Sequence, residues 1–318
     1  MKRIGYLRYA ALCVGTICFA ALSCLSYSKS TVNGRSPALP IVALTDSIAR
    51  IAADSPGEVG VALIINSADT VCVNNRSVYP MMSVFKLHQA LAVCRRFDRD
   101  GISLDTLLTF SRAELDPDTW SPMLKDHPES VITLPVKELL RYTLIQSDNN
   151  ASNLMFDRLA GVAETDSFIA SLVPRSCFRI AYKESDMAAD HTKAYSNFTS
   201  PLGAATLINR LFTDSLVSSG KQHFITKSLG ECVTGKDRIA APLIGEEGVT
   251  VAHKTGSGYT DSGILAAHND VGYIRLLDGT HYALAVFVKD FKGNETQASQ
   301  VIARISAAVY SVLTQTSH

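Results

Sequence analysis

Neither sign of charge prevails in this chain. Thirty Lys and Arg are matched by thirty Asp and Glu, so there is no electrostatic footprint for a nucleic acid or another polyanion. Eight histidines occur without His-x-x-x-His or any other ligand spacing, which argues against a metal site. Gly256-Ser257-Gly258 lacks the third glycine of a dinucleotide loop. No Gly-x-Ser-x-Gly elbow frames a serine, which disfavours an ordinary α/β-hydrolase. There is no internal repeat and no low-complexity stretch. On the histidine spacing, no metal is expected.

Cysteine is sparse outside the N-terminal segment. Of seven, Cys13, Cys18 and Cys24 fall in the first 24 residues. Cys72, Cys94, Cys177 and Cys232 are far apart and show no Cys-x-x-Cys spacing. Export would allow pairing; buried free thiols are the simpler expectation.

Lys2, Arg3 and Arg8 precede an uncharged, mostly apolar run from Tyr9 to Tyr27. This reads as an export signal over residues 1–27, cut to release a soluble periplasmic protein, or kept as an anchor. Ala21-Leu22-Ser23 followed by Cys24 also fits a lipoprotein signal, with Ala21 where Leu is usual. Residues 28–40 are polar with Gly and Pro and read as a linker.

With 47% apolar and 19% charged residues, the remainder is globular. Residues 44–53 have helical spacing, and 58–65 and 70–74 read as strands. A helix starts at Ser83. Residues 101–129 read as loop and short helix. Helices follow at 134–146, 150–160, 164–172, 201–213 and 220–229, with a long loop over 178–199. Strands return at 250–254, 264–267, 271–277 and 282–288, then a helix over 295–313. Strands at both ends and helices between predict one antiparallel sheet built from both termini, flanked by helices, with an all-helical domain inserted. The implied division is an α/β lobe at 41–80 and 230–318, and a mainly helical lobe at 81–229.

Three short motifs carry chemistry. Ser83 and Lys86, three apart at a helix start, share one face. A serine hydroxyl is a weak nucleophile until a base takes its proton, and a lysine in an apolar run can serve. A Ser-x-x-Lys pair alone arises by chance roughly once in a chain of this size. Ser147-Asp148-Asn149 and Lys254-Thr255-Gly256 follow in order, and the three together point to one penicillin-recognising serine site. Ser83 is then the nucleophile, with its N–H and a donor near Ser257 as the oxyanion hole. Lys86 is a base or proton relay, and Ser147 passes a proton to the leaving nitrogen. Asn149 holds a substrate amide. Lys254 supplies positive charge, Thr255 and Ser257 add hydroxyls, and Gly256 and Gly258 let a substrate lie close to the strand. Trp120, the only tryptophan, is either a packing residue or a wall of the site.

Through these motifs the chain resembles the class A serine β-lactamases over nearly everything after the linker. Residues 79–86, 146–153, 194–197 and 252–259 are most similar to the CfxA-like cephalosporinase branch. The resemblance implies a two-lobed β-lactamase/transpeptidase-like α/β (α+β) fold. It also implies a monomer that hydrolyses the amide of a small-molecule β-lactam, cephalosporins favoured, through an acyl-serine with no metal and no cofactor, and so confers β-lactam resistance. It places a water-activating glutamate at Glu184, with Asp186 and Asp190 as rival acids in the same loop, and puts Arg238 near the substrate carboxylate. The common pattern is broken in four places. Ala188 stands where Asn usually shares the water. Tyr182 and Asn197 replace the Arg and Asp that usually pair across the loop, so the loop is held differently, with help from Asn153. Ala90 replaces a disulfide cysteine. The alternatives are a D-Ala-D-Ala peptidase or a penicillin-binding sensor that is acylated without turnover.

Overall fold

Strands from distant parts of the chain meet in one antiparallel sheet. The structure, a computed structural model, describes residues 39–315; the expected signal, Cys24 and residues 28–38 of the expected linker lie outside them. The first helix, α1 (Leu39–Ala53), begins two residues inside the stretch read as linker. Then come β1 (Glu58–Ile65), β2 (Asp69–Val73), β3 (Tyr79–Pro80) and, after a 3-10 turn at Met82–Val84, α2 (Phe85–Arg99). The middle of the chain holds β4 (Leu107–Ser111), α3 (Pro122–Asp126), β5 (Val131–Pro135), α4 (Val136–Ile145), α5 (Asn149–Arg158) and α6 (Val162–Ile169). It continues through β6 (Phe178–Arg179), α7 (Glu184–Ala189), β7 (Phe198–Thr199), α8 (Pro201–Thr213) and α9 (Ser219–Gly230). Last are β8 (Thr250–Ser257), β9 (Thr260–Asp261), β10 (Ile264–Arg275), β11 (His281–Lys292) and α10 (Glu295–Gln315).

The sheet order is β2-β1-β11-β10-β8, with β9 beside β10. β1 is apolar without alternation because both faces are covered. One face packs on α1 and α10 around Leu63, Val286 and Ile302. The other packs on α8 and continues into the helical core around Phe85, Leu91 and Leu140. Helix α8 therefore sits on the sheet, although its sequence lies among the helical segments. α2 is buried continuously from Phe85 to Cys94, as a helix apolar on all sides must be.

Three stretches differ from the sequence expectation. β10 is one strand where two were read, broken at His268-Asn269-Asp270. Those polar residues stay in the sheet because each finds a distant partner: His268 pairs with Ser299 (2.8 Å), Asn269 with the Pro80 carbonyl (2.8 Å) and Asp270 with His253 (3.0 Å). Residues read as loop contain β4, which pairs with β5 through Thr109 and Thr133 (hydroxyls 2.9 Å apart). The long loop at 178–199 contains α7, a 3-10 turn at His191–Ser196, and β6 and β7, of which β7 pairs with β3 just before Ser83 and β6 pairs with β7. The four cysteines after residue 39 are free thiols; only Cys94 is fully buried.

Candidate active site

Ser83 stands in the 3-10 turn that leads into α2. The residue before it, Met82, has a left-handed backbone (φ 47°), a strained conformation for a side-chain-bearing residue. Two asparagines hold that turn. Asn269 donates through Nδ2 to the carbonyls of Pro80 (2.8 Å) and Met81 (3.2 Å), and the Met81 N–H donates to the Asn197 carbonyl (2.8 Å).

Around Ser83 the predicted polar residues converge. Its Oγ donates to Glu184 Oε1 (2.9 Å) and accepts from Lys86 Nζ (3.0 Å), and Lys86 pairs with the same carboxylate oxygen at 2.9 Å. Lys86 is fully buried. It also donates to Asn149 Oδ1 (2.6 Å) and to the Ser147 carbonyl (2.8 Å). Ser147 Oγ accepts from Lys254 Nζ at 3.0 Å and lies 3.4 Å from Lys86 Nζ, so one hydroxyl joins two ammonium groups. Burial pulls Lys254 down to about 7, and the nearby Lys86 charge pushes the same way.

Ser147 also has a left-handed backbone (φ 61°). Its neighbour Asp148, fully buried, locks it in place. That carboxylate accepts from Ser121 Oγ (2.9 Å), Met123 N (2.7 Å) and Ala151 N (2.8 Å), so it caps α5. Asp148 was not singled out in the sequence, although an Asp before a helix is a capping signal. Asn149 Nδ2 donates to Thr119 Oγ1 (2.9 Å). Trp120 is 56% exposed, so it is not a core packing residue. Its indole N–H donates to the Gln146 carbonyl (2.9 Å) and its own carbonyl accepts from Asn149 N (3.0 Å), which places it beside the Ser147–Asn149 turn.

Glu184 opens α7 and is buried. Of the three acids weighed in this loop it alone bonds to Ser83. Asp186 accepts the Lys183 N–H (3.2 Å), and Asp190 accepts from Thr192 N (3.1 Å). Asn197 does the work of the missing ion pair. Its Oδ1 accepts from Ala181 N (2.8 Å) and Tyr182 N (2.9 Å), and its Nδ2 donates to the Tyr182 carbonyl (2.7 Å). Asn153 Oδ1 accepts from Ser185 N (3.2 Å), one residue from Glu184.

β8 is an edge strand, and its open side runs past the nucleophile. Gly258 N donates to Ala267 on β10 (2.7 Å). N–H directions alternate along a strand, so the Ser257 N–H points to the open edge, where an oxyanion donor is wanted. The two glycines do a different job from the one read in the sequence. A Cβ on Gly256 would sit 2.4 Å from the Met81 carbonyl oxygen, and one on Gly258 2.7 Å from Ala267 N. They admit protein backbone: Gly256 lets β8 close onto the nucleophile turn. Thr255 Oγ1 is paired with Thr234 Oγ1 (2.6 Å). Arg238 is buried rather than a surface cation. It donates to the Asn269 carbonyl (2.7 Å), the Gly256 carbonyl (3.2 Å) and Ser257 Oγ (2.6 Å), and burial lowers its pKa. It therefore reaches the substrate edge through Ser257. His253 is structural: burial opposes its charge, but Asp270 at 3.0 Å wins and raises it to about 10.

A serine bonded to a buried lysine and a carboxylate, beside a second lysine on an edge strand, defines an acyl-transfer hydrolase working through an acyl-serine. The chain matches the model of the beta-lactamase enzyme family over residues 43–313. It is 61% identical to a beta-lactamase of Phocaeicola vulgatus, covering 99% of this chain and 97% of that one. It is 32% identical to the extended-spectrum beta-lactamase PER-1 of Pseudomonas aeruginosa, covering 92% of each. A solved class A beta-lactamase of Bacteroides cellulosilyticus superposes with a TM-score of 0.82 at 31% identity, covering 87% of this chain and 99% of that one. The chain belongs to the beta-lactamase enzyme family, in its class A, and its reaction is hydrolysis of β-lactams at a serine.

Proposed function

We propose that the preferred substrates are cephalosporins, opened through an acyl-Ser83 ester. The observation that carries the reaction is the placement of Ser83 Oγ within 3.0 Å of both Lys86 Nζ and Glu184 Oε1. Ser83 attacks the lactam carbonyl while its proton passes to this pair. The carbonyl oxygen is held by the N–H groups of Ser83 and Ser257. Ser147, bonded to Lys254 and close to Lys86, returns a proton to the lactam nitrogen as the ring opens. Asn149 and Trp120 border the substrate amide. Lys254, with Thr255 and Ser257 steadied by Arg238, receives the carboxylate. Glu184 then takes a proton from water, which attacks the ester and frees Ser83; Asn153 and Asn197 keep Glu184 in place. The preference for cephalosporins rests on the likeness of the motif segments to the CfxA-like branch.

The protein is further proposed to be exported to the periplasm, tethered if Cys24 carries lipid, and to act as a monomer that confers β-lactam resistance. Its proposed lobes are 41–80 with 230–318, and 81–229. Intact-mass spectrometry of the mature protein mixed with a cephalosporin tests the reaction and the export reading together. An adduct on Ser83 that appears and vanishes as drug is consumed supports hydrolysis. An adduct that persists overturns it in favour of a penicillin-binding protein. The mass of the untreated protein gives the cleavage point and any lipid.

A further inference from the structure

Cys232 takes no part in the reaction described above, yet a single hydroxyl separates it from Thr255 at the carboxylate end of the cleft. It follows α9, where its N–H donates to the Leu229 carbonyl (3.3 Å). Its Sγ lies 3.3 Å from Thr234 Oγ1, and Thr234 Oγ1 lies 2.6 Å from Thr255 Oγ1 on β8. Behind the sulfur stands His253, whose Nδ1 is 3.0 Å from both oxygens of Asp270 and which also bonds to Cys232. A protonated imidazole has two N–H donors, and here Asp270 takes one and the sulfur the other. Burial would push the Cys232 thiol up, but the His253 hydrogen bond and the charges of His253 and Lys254 bring it down to about 7. The sulfur is thus an acceptor, and an S–H proton, when present, points to the Thr234 carbonyl (3.7 Å). In both states the Thr234 hydroxyl is left to donate to sulfur. A hydroxyl has one proton, so Thr234 Oγ1 must then accept from Thr255. The Thr255 proton is turned away from the cleft. Gly235 helps to fix that rotamer: its φ is 64°, and a Cβ on it would sit 2.4 Å from the Thr255 methyl group.

We propose that Cys232 is a positioning residue for the substrate carboxylate: through Thr234 it holds the Thr255 proton away from the cleft and so weakens the grip of Thr255 on that carboxylate. A carboxylate can claim the proton only by breaking the 2.6 Å bond and leaving two hydroxyl oxygens face to face. The inference rests on the reading above that the carboxylate lies at Lys254 and Thr255. The experiment measures kcat and KM for a cephalosporin with a free ring carboxylate and for the methyl ester of the same compound. The proteins are the wild type, Cys232→Ala, Cys232→Ser and Thr234→Val. Cys232→Ala removes the acceptor of the Thr234 proton, which then turns to Thr255; Thr234→Val removes the partner of Thr255 outright. Both free the Thr255 proton for the carboxylate. KM for the acid is expected to fall about tenfold in both variants at unchanged kcat. KM for the ester is expected to stay at the wild-type value. Cys232→Ser keeps an acceptor and is expected to match the wild type with both compounds. An acid KM that is unchanged or raised in both Cys232→Ala and Thr234→Val overturns the proposal, as does an equal shift for acid and ester. A wild type with the same KM for acid and ester overturns the carboxylate reading itself, and that comparison needs no variant.

Discussion

Lys86 and Glu184 share one short ion pair of 2.9 Å, and Ser83 bonds to both partners. The serine proton points at the carboxylate while the lysine donates to the serine oxygen, and in the proposed mechanism the same carboxylate is the base for the water that attacks the ester. Glu184→Gln is expected to acylate at a rate near that of the wild type and to lose about 10²–10⁴-fold in deacylation. Rapid mixing with a chromogenic cephalosporin separates the phases, and full turnover by this variant would move the base elsewhere. Ser83→Ala is expected to form no covalent adduct.

Asn197 satisfies two main-chain N–H groups ahead of Glu184 and holds the Tyr182 carbonyl. Asn197→Ala leaves those donors without their acceptor, at about 1–3 kcal/mol for each that stays buried. The melting temperature is expected to fall. Deacylation should slow more than acylation, because Ser83 and Lys86 keep their other supports. An equal drop in both rates would mean that Asn197 supports the whole fold rather than the glutamate.

Gly256→Ala places a methyl group against the Met81 carbonyl, where the approach is already closed. Either β8 or the nucleophile turn must shift. A displacement of about 1 Å at a reacting group costs on the order of 10²-fold in rate. The acylation rate of the folded variant is the quantity to measure, and a wild-type rate would show that the two backbones can part without harm.

Three histidines shape the pH dependence of stability. Burial holds His88 at about 4 and His268 at about 3, so both stay neutral in the fold and take up protons first when it unfolds. As pH drops below about 6.5, each costs up to about 1.4 kcal/mol per pH unit until its folded value is reached. His253 acts in the opposite sense. Raised to about 10 by Asp270 against the pull of burial, it contributes fully below about 6.5 and loses that contribution as pH climbs through its folded value. Lys254, lowered to about 7 by burial, makes stability rise over the window in which His253 loses its contribution. Thermal melts are therefore expected to show an acid limb below about 6.5. The destabilisation caused by His253→Gln is expected to be greatest below about pH 6.5 and to shrink as pH approaches 10.

The strand–helix–strand order and the three motifs were legible because each depends on local spacing. Ser83 and Lys86 share a helix face, and Lys254 alternates along a strand. What was hidden depends on distant partners. Asn269 interrupts an apolar run and looks like a break, until the Pro80 and Met81 carbonyls account for it. Asn197 was visible only as a missing carboxylate. Gly256 was read as room for substrate, since a sequence cannot show which backbone approaches. Trp120 could go either way on sequence alone, and its exposure decides against packing.

The pairing of β1 with β11 joins the beginning of the domain to its end, from Glu58 against Lys289 to Ile65 against Tyr282. Helix-rich segments between them can form from nearby contacts, but such long-range pairing is slow, because a large loop must close first. Ser83 and Lys86 are made early; Glu184, Lys254 and the Asn269 that holds the nucleophile turn come much later. A partly folded chain therefore carries its nucleophile without the groups that arm it, and catalysis begins only when the last strands have closed the sheet.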